Sequence, residues 1–387
     1  MPTERAIVKP DLLAWAREEA GLSLEDAAKK IAVKPEHLQA CERNEAQLTV
    51  RQLRVLSNAY KRPLAFFYLP APPARSTDLR DFRRPSEEEP EAESPRLKYE
   101  IRRARYRRRI ALELSEELGE PIPEFTATAT LADSPADVAR RVRELLGVTR
   151  QQQRNFRDVY DALNTWRESI ERLGVAVFQA SRVPSREMLG FSISEPSLPV
   201  IVLNMSDVPV RRIFTMLHEF THLMLRTGGL CTLKEVQQIE VFCNEVAGES
   251  LVPRAWLLDE PDISARGPQD EWPDGVIEAM GRRYRVSRET ILRRLLEADY
   301  TSRAFYERKH EEYKAEFETT RPEDGFVPPY TLAVAEAGRM FIQLVLESYR
   351  QDKITTSEVS DFLEVRTKHF NRIAQAVENP TLELGAA

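Results

Sequence analysis

Two histidines and a glutamate in the apolar run Thr215-Met216-Leu217-His218-Glu219-Phe220-Thr221-His222-Leu223-Met224-Leu225 carry the clearest chemistry of this 387-residue chain. Residues four apart lie one turn up on the same face of an α-helix, so His218 and His222 can present two imidazoles to one metal ion. Glu219 sits beside the pair, where a carboxylate can take a proton from metal-activated water and pass it to a leaving amine. Short patterns do recur by chance, and two histidines on an amphipathic helix can simply be satisfied polar groups. Composition argues against that reading, because the chain has only 5 histidines and two of them fall at ligand spacing around a glutamate. The flanks argue the same way. Leu217, Leu223, Met224 and Leu225 would bury the helix, and an unpaired carboxylate there is costly unless a metal or a proton relay uses it.

A tetrahedral catalytic zinc takes three protein ligands and keeps one position open for water, which calls for a third ligand downstream. Glu235, Glu240, Glu245 and Glu249 lie in or beside the next helical segment, residues 236–247. Glu240 ranks first, because Asn244 follows four residues later on the same face and its amide can support a ligand by a hydrogen bond. Glu249 ranks second; it returns to the same general side but stands closer to the helix end and to Pro253. Glu245 points about 100° away from Asn244. Two imidazoles and a carboxylate suit Zn2+ best, although manganese and iron occupy similar sites. Tyr160, Tyr284 and His310 are of the residue types that stabilise an oxyanion, and no sequence context singles one of them out.

Elements must hold these residues. Ahead of the motif, the segments 175–178, 188–193 and 199–204 are short and β-prone, separated by Pro and Ser turns, and they predict a small sheet. A sheet edge beside a metal can hold an extended peptide by main-chain hydrogen bonds. Amphipathic helices are predicted at 135–146 and 156–173. A long helix at about 97–118 carries Arg102, Arg103, Arg105, Arg107, Arg108 and Arg109; with Glu100, Glu113, Glu116 and Glu117 on the same helix, a solvated face with ion pairs is the better reading than a phosphate-binding stripe. Residues 276–284 and 286–296 follow as a helical pair. Helices at 332–349 and 355–377, the second with an N-cap at its start, are expected to serve packing, dimerisation or substrate capture.

At the other end, residues 12–20, 24–31, 35–42 and 50–60 read as four closely spaced helices. Gly21 closes the first, Ser23 caps the second with Asp26 three residues on, and Pro35 suits the first turn of the third. The run Trp15–Ala28, followed by Ile31–Leu38 and Leu53–Leu56, resembles the helix-turn-helix of XRE-type repressors. Lys34, Gln39 and Arg43 are its candidate DNA contacts, while Glu36 and Glu42 on the presumed recognition helix oppose DNA. The net charge of -6 gives no global attraction to nucleic acid, so any such binding must be local.

With 42% hydrophobic and 30% charged residues the composition is that of an ordinary globular protein, and no apolar run reaches the roughly 18 residues of a membrane span. The N-terminus lacks the apolar core of a secretory signal, and the 3 cysteines, Cys41, Cys231 and Cys243, are too scattered for a disulfide framework. A cytoplasmic chain without membrane association is expected.

The peptidase part is similar to the ImmA/IrrE family of metallo-endopeptidases, on Gly190-Phe191-Ser192, the run Leu198–Asn204, the run Arg212–His222 and the run Glu240–Pro253. The similarity covers most of residues 130–300. It implies that His218, His222 and Glu240 bind zinc and that Glu219 is the catalytic base. It further implies cleavage of an XRE-type repressor, with release of genes for stress response or mobile-element control. Many such peptidases act on a separate repressor, whereas this chain carries its own repressor-like segment, which opens self-cleavage or repression by the intact chain. The resulting expectation is a mainly α chain with a small β-sheet (α+β). Its parts are a helix-turn-helix at 1–70, a linker at 71–96, a zincin-like metallopeptidase domain at 97–300 and a helical C-terminal region at 301–387. The alternative is a non-proteolytic DNA-binding regulator or antitoxin with a structural or sensing metal. A homodimer is compatible with either.

Overall fold

The computed structural model describes residues 5–60, 62, 64–73, 82–83, 94–226, 233–319 and 328–378. Contacts divide the chain into two units, Met1–Arg80 with Ser86–Tyr106, and Asp81–Pro85 with Arg107–Ala387.

In the first unit, α1 (Pro10–Glu19), α2 (Leu24–Lys30), α3 (Pro35–Glu42) and α4 (Val50–Tyr60) lie close to their predicted bounds. Ser23 caps α2 by accepting from the Asp26 backbone N–H at 3.0 Å. Ala32, in the left-handed region at φ 54, turns the chain between α2 and α3. Leu12, Leu13, Ala16, Leu38, Leu53 and Leu56 close the core, so each helix spends its apolar stripe on the others. Arg17 forks onto Glu42, with Nε 2.7 Å from Oε1 and Nη2 2.9 Å from Oε2. A bidentate pair of this kind fixes α1 against α3 and takes up the charge of Glu42 within the fold.

The helix α5 (Pro95–Leu118) contributes residues to both units. Its arginines correct the expectation of a solvated face. Arg103 and Arg107 are buried, and several of the run brace backbone carbonyls: Arg102 donates to Glu19 O at 2.9 Å, Arg107 to Glu336 O at 3.1 Å and Arg108 to Leu198 O at 3.0 Å. A guanidinium offers five donors on an apolar stem, so it can satisfy interior carbonyls that a charge count along the chain cannot foresee. Part of the expectation holds, since Glu100 pairs with Arg96 and Glu113 with Arg109.

The second unit contains α6 (Pro135–Leu146), α7 (Arg150–Arg154) and α8 (Val159–Glu171), then the sheet, then α9 (Pro209–Leu225) and α10 (Leu233–Leu251). The predicted helix at 156–173 begins later because the Asp158 carboxylate accepts from the backbone of Tyr160 and Asp161 and caps it there. The sheet has β1 (Phe82–Arg83), β2 (Ala176–Ala180), β3 (Gly190–Ile193) and β4 (Val200–Asn204) in the order β1-β3-β4-β2. Strands β2 and β4 run parallel and are buried throughout, whereas β3 is antiparallel to both β4 and β1. Most of the predicted linker lies outside the described residues, and β1 falls within it.

Short helices α11 (Arg254–Leu258) and α12 (Pro261–Ser264) lead into α13 (Asp274–Tyr284), α14 (Arg288–Glu297) and α15 (Arg303–Thr319). The C-terminal helices are α16 (Pro329–Ala337), α17 (Arg339–Arg350), α18 (Thr356–Leu363) and α19 (Phe370–Glu378). The continuous helix predicted at 332–349 is broken at Gly338, whose φ of 78 and ψ of 157 leave the helical region. A Cβ there would lie 2.4 Å from Arg167 Nη2 and 2.9 Å from Val177 O, so only glycine lets the chain pass so close over β2. The predicted helix at 355–377 is likewise two helices, and Thr355 and Glu358 form a complete capping box at its start. No helix among the described residues is long and apolar enough to cross a membrane.

Candidate metal centre

The motif helix α9 begins with Pro209 at its first turn and ends at Arg226, which turns left-handed at φ 49. Between them Met216, Leu217, Phe220 and Leu223 pack into the core, which leaves the opposite side of the turn to His218 and His222. All three motif residues are buried: His218 is 0% exposed, Glu219 1% and His222 3%.

The structure brings His218, His222 and Glu240 together, with one potential ligand atom from each lying within 4.8 Å of the others. Nε2 of His218 is 3.0 Å from Nε2 of His222 and 3.3 Å from Glu240 Oε2, and His222 Nε2 is 3.1 Å from Glu240 Oε1. Ligands held ~2.0–2.1 Å from a tetrahedral ion stand about 3.3 Å apart, and these separations, which reach Glu240 through both of its carboxylate oxygens, are of that size. His218 Nδ1–H donates to Asn244 Oδ1 at 3.1 Å, which turns the lone pair of Nε2 toward the shared centre. The donor set and its spacing fit a zinc-type ion.

Electrostatics point the same way. Burial opposes the charge of Glu240, but hydrogen bonds from His218 and His222 outweigh it and hold the carboxyl far below the usual range. Burial also opposes a charged His222, yet Cys243 and Glu240 raise it well above the ordinary imidazole value. Without an ion, two imidazoles and a carboxylate must share protons to coexist at this distance; a cation removes that conflict.

Glu219 is placed by the sheet. Ser192 Oγ on β3 donates to Glu219 Oε2 at 2.8 Å. Gly190, two residues earlier on β3, lets the strand lie directly on α9: a Cβ there would be 2.5 Å from Thr215 Cγ2 and 3.5 Å from Glu219 Cγ. Sequence reasoning did not single out Ser192, although it lies in a run already noted for its resemblance. Cys243, buried beside His222, was also passed over; burial, the largest effect on it, pushes its thiol up.

The other glutamates go elsewhere. Glu249, second in rank as a ligand, pairs with Arg294 and accepts from the Arg254 backbone at 3.0 Å, because its turn of α10 faces α14. Glu245 lines a groove with Leu131, Asp133 and Gln237. The side chain of Glu235 lies outside the described residues. Among the oxyanion candidates, Tyr284 donates to Glu260 at 2.7 Å and His310 pairs with Glu289 at 2.8 Å, so both are spent away from the metal centre. Tyr160 is exposed. In the first unit Lys34 and Arg43 are exposed at the two ends of α3, and Gln39 is half-buried between them.

Comparison with family models matches residues 170–296 to the IrrE N-terminal-like domain, Peptidase_M78, and residues 13–67 to a helix-turn-helix domain. No curated protein matches the chain. The first match contains every residue of the metal centre and both Ser192 and Asn244; the second spans α2 and α3.

Proposed function

We propose, from the premise that residues 170–296 belong to the IrrE N-terminal-like peptidase family and follow a helix-turn-helix domain, that this chain is a zinc-dependent endopeptidase acting on a regulatory protein. The observation that carries the reading is the convergence of His218, His222 and Glu240 with Glu219 buried beside them. In this reading the three residues hold the ion, which when bound supplies Lewis-acid activation of water and of the peptide carbonyl. Asn244 fixes the ring of His218. Glu219, oriented by Ser192, takes the proton of the attacking water and delivers it to the departing amine, so one carboxylate serves as base and then acid.

The substrate class follows from the resemblance and the domain pairing. A repressor with a helix-turn-helix like that of residues 13–67 is the proposed target, and its cleavage would release genes for stress response or mobile-element control. The test is direct. Purified chain with stoichiometric zinc is incubated with a helix-turn-helix repressor encoded beside it, and wild type is compared with Glu219→Gln. Fragments from the wild type alone support the reading, and fragments from both proteins sink the role of Glu219.

One observation favours a second activity on the same chain. Arg17 draws off the charge of Glu42, so the acid that opposed DNA on α3 is neutralised inside the fold, and Lys34 and Arg43 stand exposed on either side. DNA binding through Lys34, Gln39 and Arg43 is the proposed role of this domain.

A further inference from the structure

The two edges of the sheet are closed in different ways. At β2, helix α16 seals the edge: Gln179 Nε2 donates to Ala335 O at 3.1 Å, and the Arg167 guanidinium reaches both Ala335 O and Val177 O. At β3 the closure is made, among the described residues, by Phe82 and Arg83, paired antiparallel with Phe191 and Gly190. The β3–β4 ladder, by comparison, has four residue pairs and the β2–β4 ladder five.

The position of this short ladder sets it apart. Gly190 abuts Glu219, and Ser192 hydrogen-bonds it, so β3 is the strand beside the candidate base. An exposed strand edge is a template for another extended chain, and antiparallel addition to an edge is a general way to hold a peptide by its backbone. A two-residue strand satisfies such an edge only briefly, because short isolated pairings are marginal in water. Its persistence here comes from being part of the same chain, at high effective concentration. Residues 82 and 83 also lie between the segments matched as helix-turn-helix and as peptidase domain.

We propose that the β3 edge beside Glu219 is the peptide-binding strand of the site, and that the chain's own strand Phe82–Arg83 fills it in cis, so that a protein substrate binds only after that strand leaves. The inference rests on the peptidase reading and adds its regulation: any partner or modification that withdraws residues 82–83 would open the site.

The test uses the full chain in the Glu219→Gln background, where turnover is removed, and a fluorescein-labelled peptide with the sequence of residues 76–90 as the probe. Fluorescence anisotropy is compared with and without the added pair Phe82→Pro and Arg83→Pro, since proline removes the backbone donors that an edge ladder needs. Because an occupied site lowers apparent affinity by the fraction of open molecules, the proline variant should bind the peptide about tenfold tighter or more. A second variant with residues 81–84 replaced by Gly-Ser-Gly-Ser should behave alike, which guards against a folding defect from proline. Equal affinities, or no peptide binding to any of the proteins, overturn the proposal. Cleavage of repressor by the wild type is scored separately: if it occurs while affinities are equal, only the cis-occupancy fails. If it is absent in the wild type and also in the Phe82→Pro/Arg83→Pro chain with Glu219 intact, while the proline pair tightens peptide binding, the peptidase reading fails and the occupied edge stands.

Discussion

Ser192 Oγ and Glu219 Oε2 are joined by a 2.8 Å hydrogen bond that ties β3 to the motif helix. The bond fixes which way the carboxylate faces, and both groups are buried, so water cannot replace the lost donor freely. On the proposed peptidase reading, replacing Ser192 by Ala should leave bound zinc unchanged and lower kcat about 10-fold or more, as expected for a group that positions a general base. Zinc content by atomic absorption with single-turnover cleavage checks this; a loss of zinc in step with activity would assign Ser192 a structural role instead.

Asn244 acts on the side of the proposed ligands. It accepts from His218 Nδ1 at 3.1 Å and holds Nε2 toward Glu240. Asn244→Ala should weaken zinc binding about 10–100-fold, the usual cost of removing the partner of a ligating histidine, with little change in helix content. Chelator competition followed by circular dichroism measures both quantities. Unchanged affinity would mean that packing alone orients the ring.

Gly190 tests the contact between β3 and α9. A Cβ at this position meets Thr215 Cγ2 at 2.5 Å and Val202 O at 3.1 Å. Gly190→Ala should cost about 1–3 kcal/mol, the range for overpacking a closed interior. Adding Thr215→Ser removes the nearest atom and should recover part of the loss. A urea double-mutant cycle reads the coupling, and strict additivity would show that the clash is taken up elsewhere.

Much of the centre was legible because helical periodicity is local. His218, Glu219 and His222 need only a four-residue spacing to share a face, and the place of Asn244 one turn beyond Glu240 predicted a common face that the structure shows. The choice among glutamates was harder. Glu240 and Glu249 differ in which neighbour their turn meets, and Arg294 on α14, which takes Glu249, is distant in sequence. The same limit hid Ser192, whose partner lies 27 residues away, and the break at Gly338, where Arg167 and Val177 press on the backbone from another element. Charge patterning misread Arg107 for a related reason: its carbonyl partner, Glu336 O, is 229 residues distant. Local patterns record what a residue needs; long-range packing decides who supplies it.

On the first unit, Lys34 and Arg43 are exposed at the ends of α3. If that helix meets a duplex, Lys34→Ala and Arg43→Ala should each weaken binding and reduce the slope of log K against log salt by about one unit, the signature of a lost phosphate contact. Titration of a labelled operator fragment at several salt concentrations gives the slope. Identical slopes in both variants and wild type would remove these two residues from the interface.

Glu260 provides a stability test remote from the metal. It is 0% exposed and accepts from Arg154 at 2.5 Å, from the Tyr284 hydroxyl at 2.7 Å and from Arg283. Burial opposes its charge, but the tyrosine and arginine donors prevail and hold the carboxyl below the ordinary value. A carboxyl lowered in the folded state binds fewer protons there than in the unfolded chain. Its contribution is therefore complete above the unfolded value of about 4.3 and is lost as the pH falls through the folded value. Glu260→Gln removes the buried charge to which Arg154, Arg283 and Arg150, themselves exposed or half-buried, donate, and should cost about 1–3 kcal/mol at neutral pH. Urea midpoints measured at successive pH values should show the gap between wild type and Glu260→Gln narrowing as the pH drops below that of the free carboxyl. A gap of constant width would mean that the glutamine's lost packing, and not the charge of Glu260, accounts for the difference.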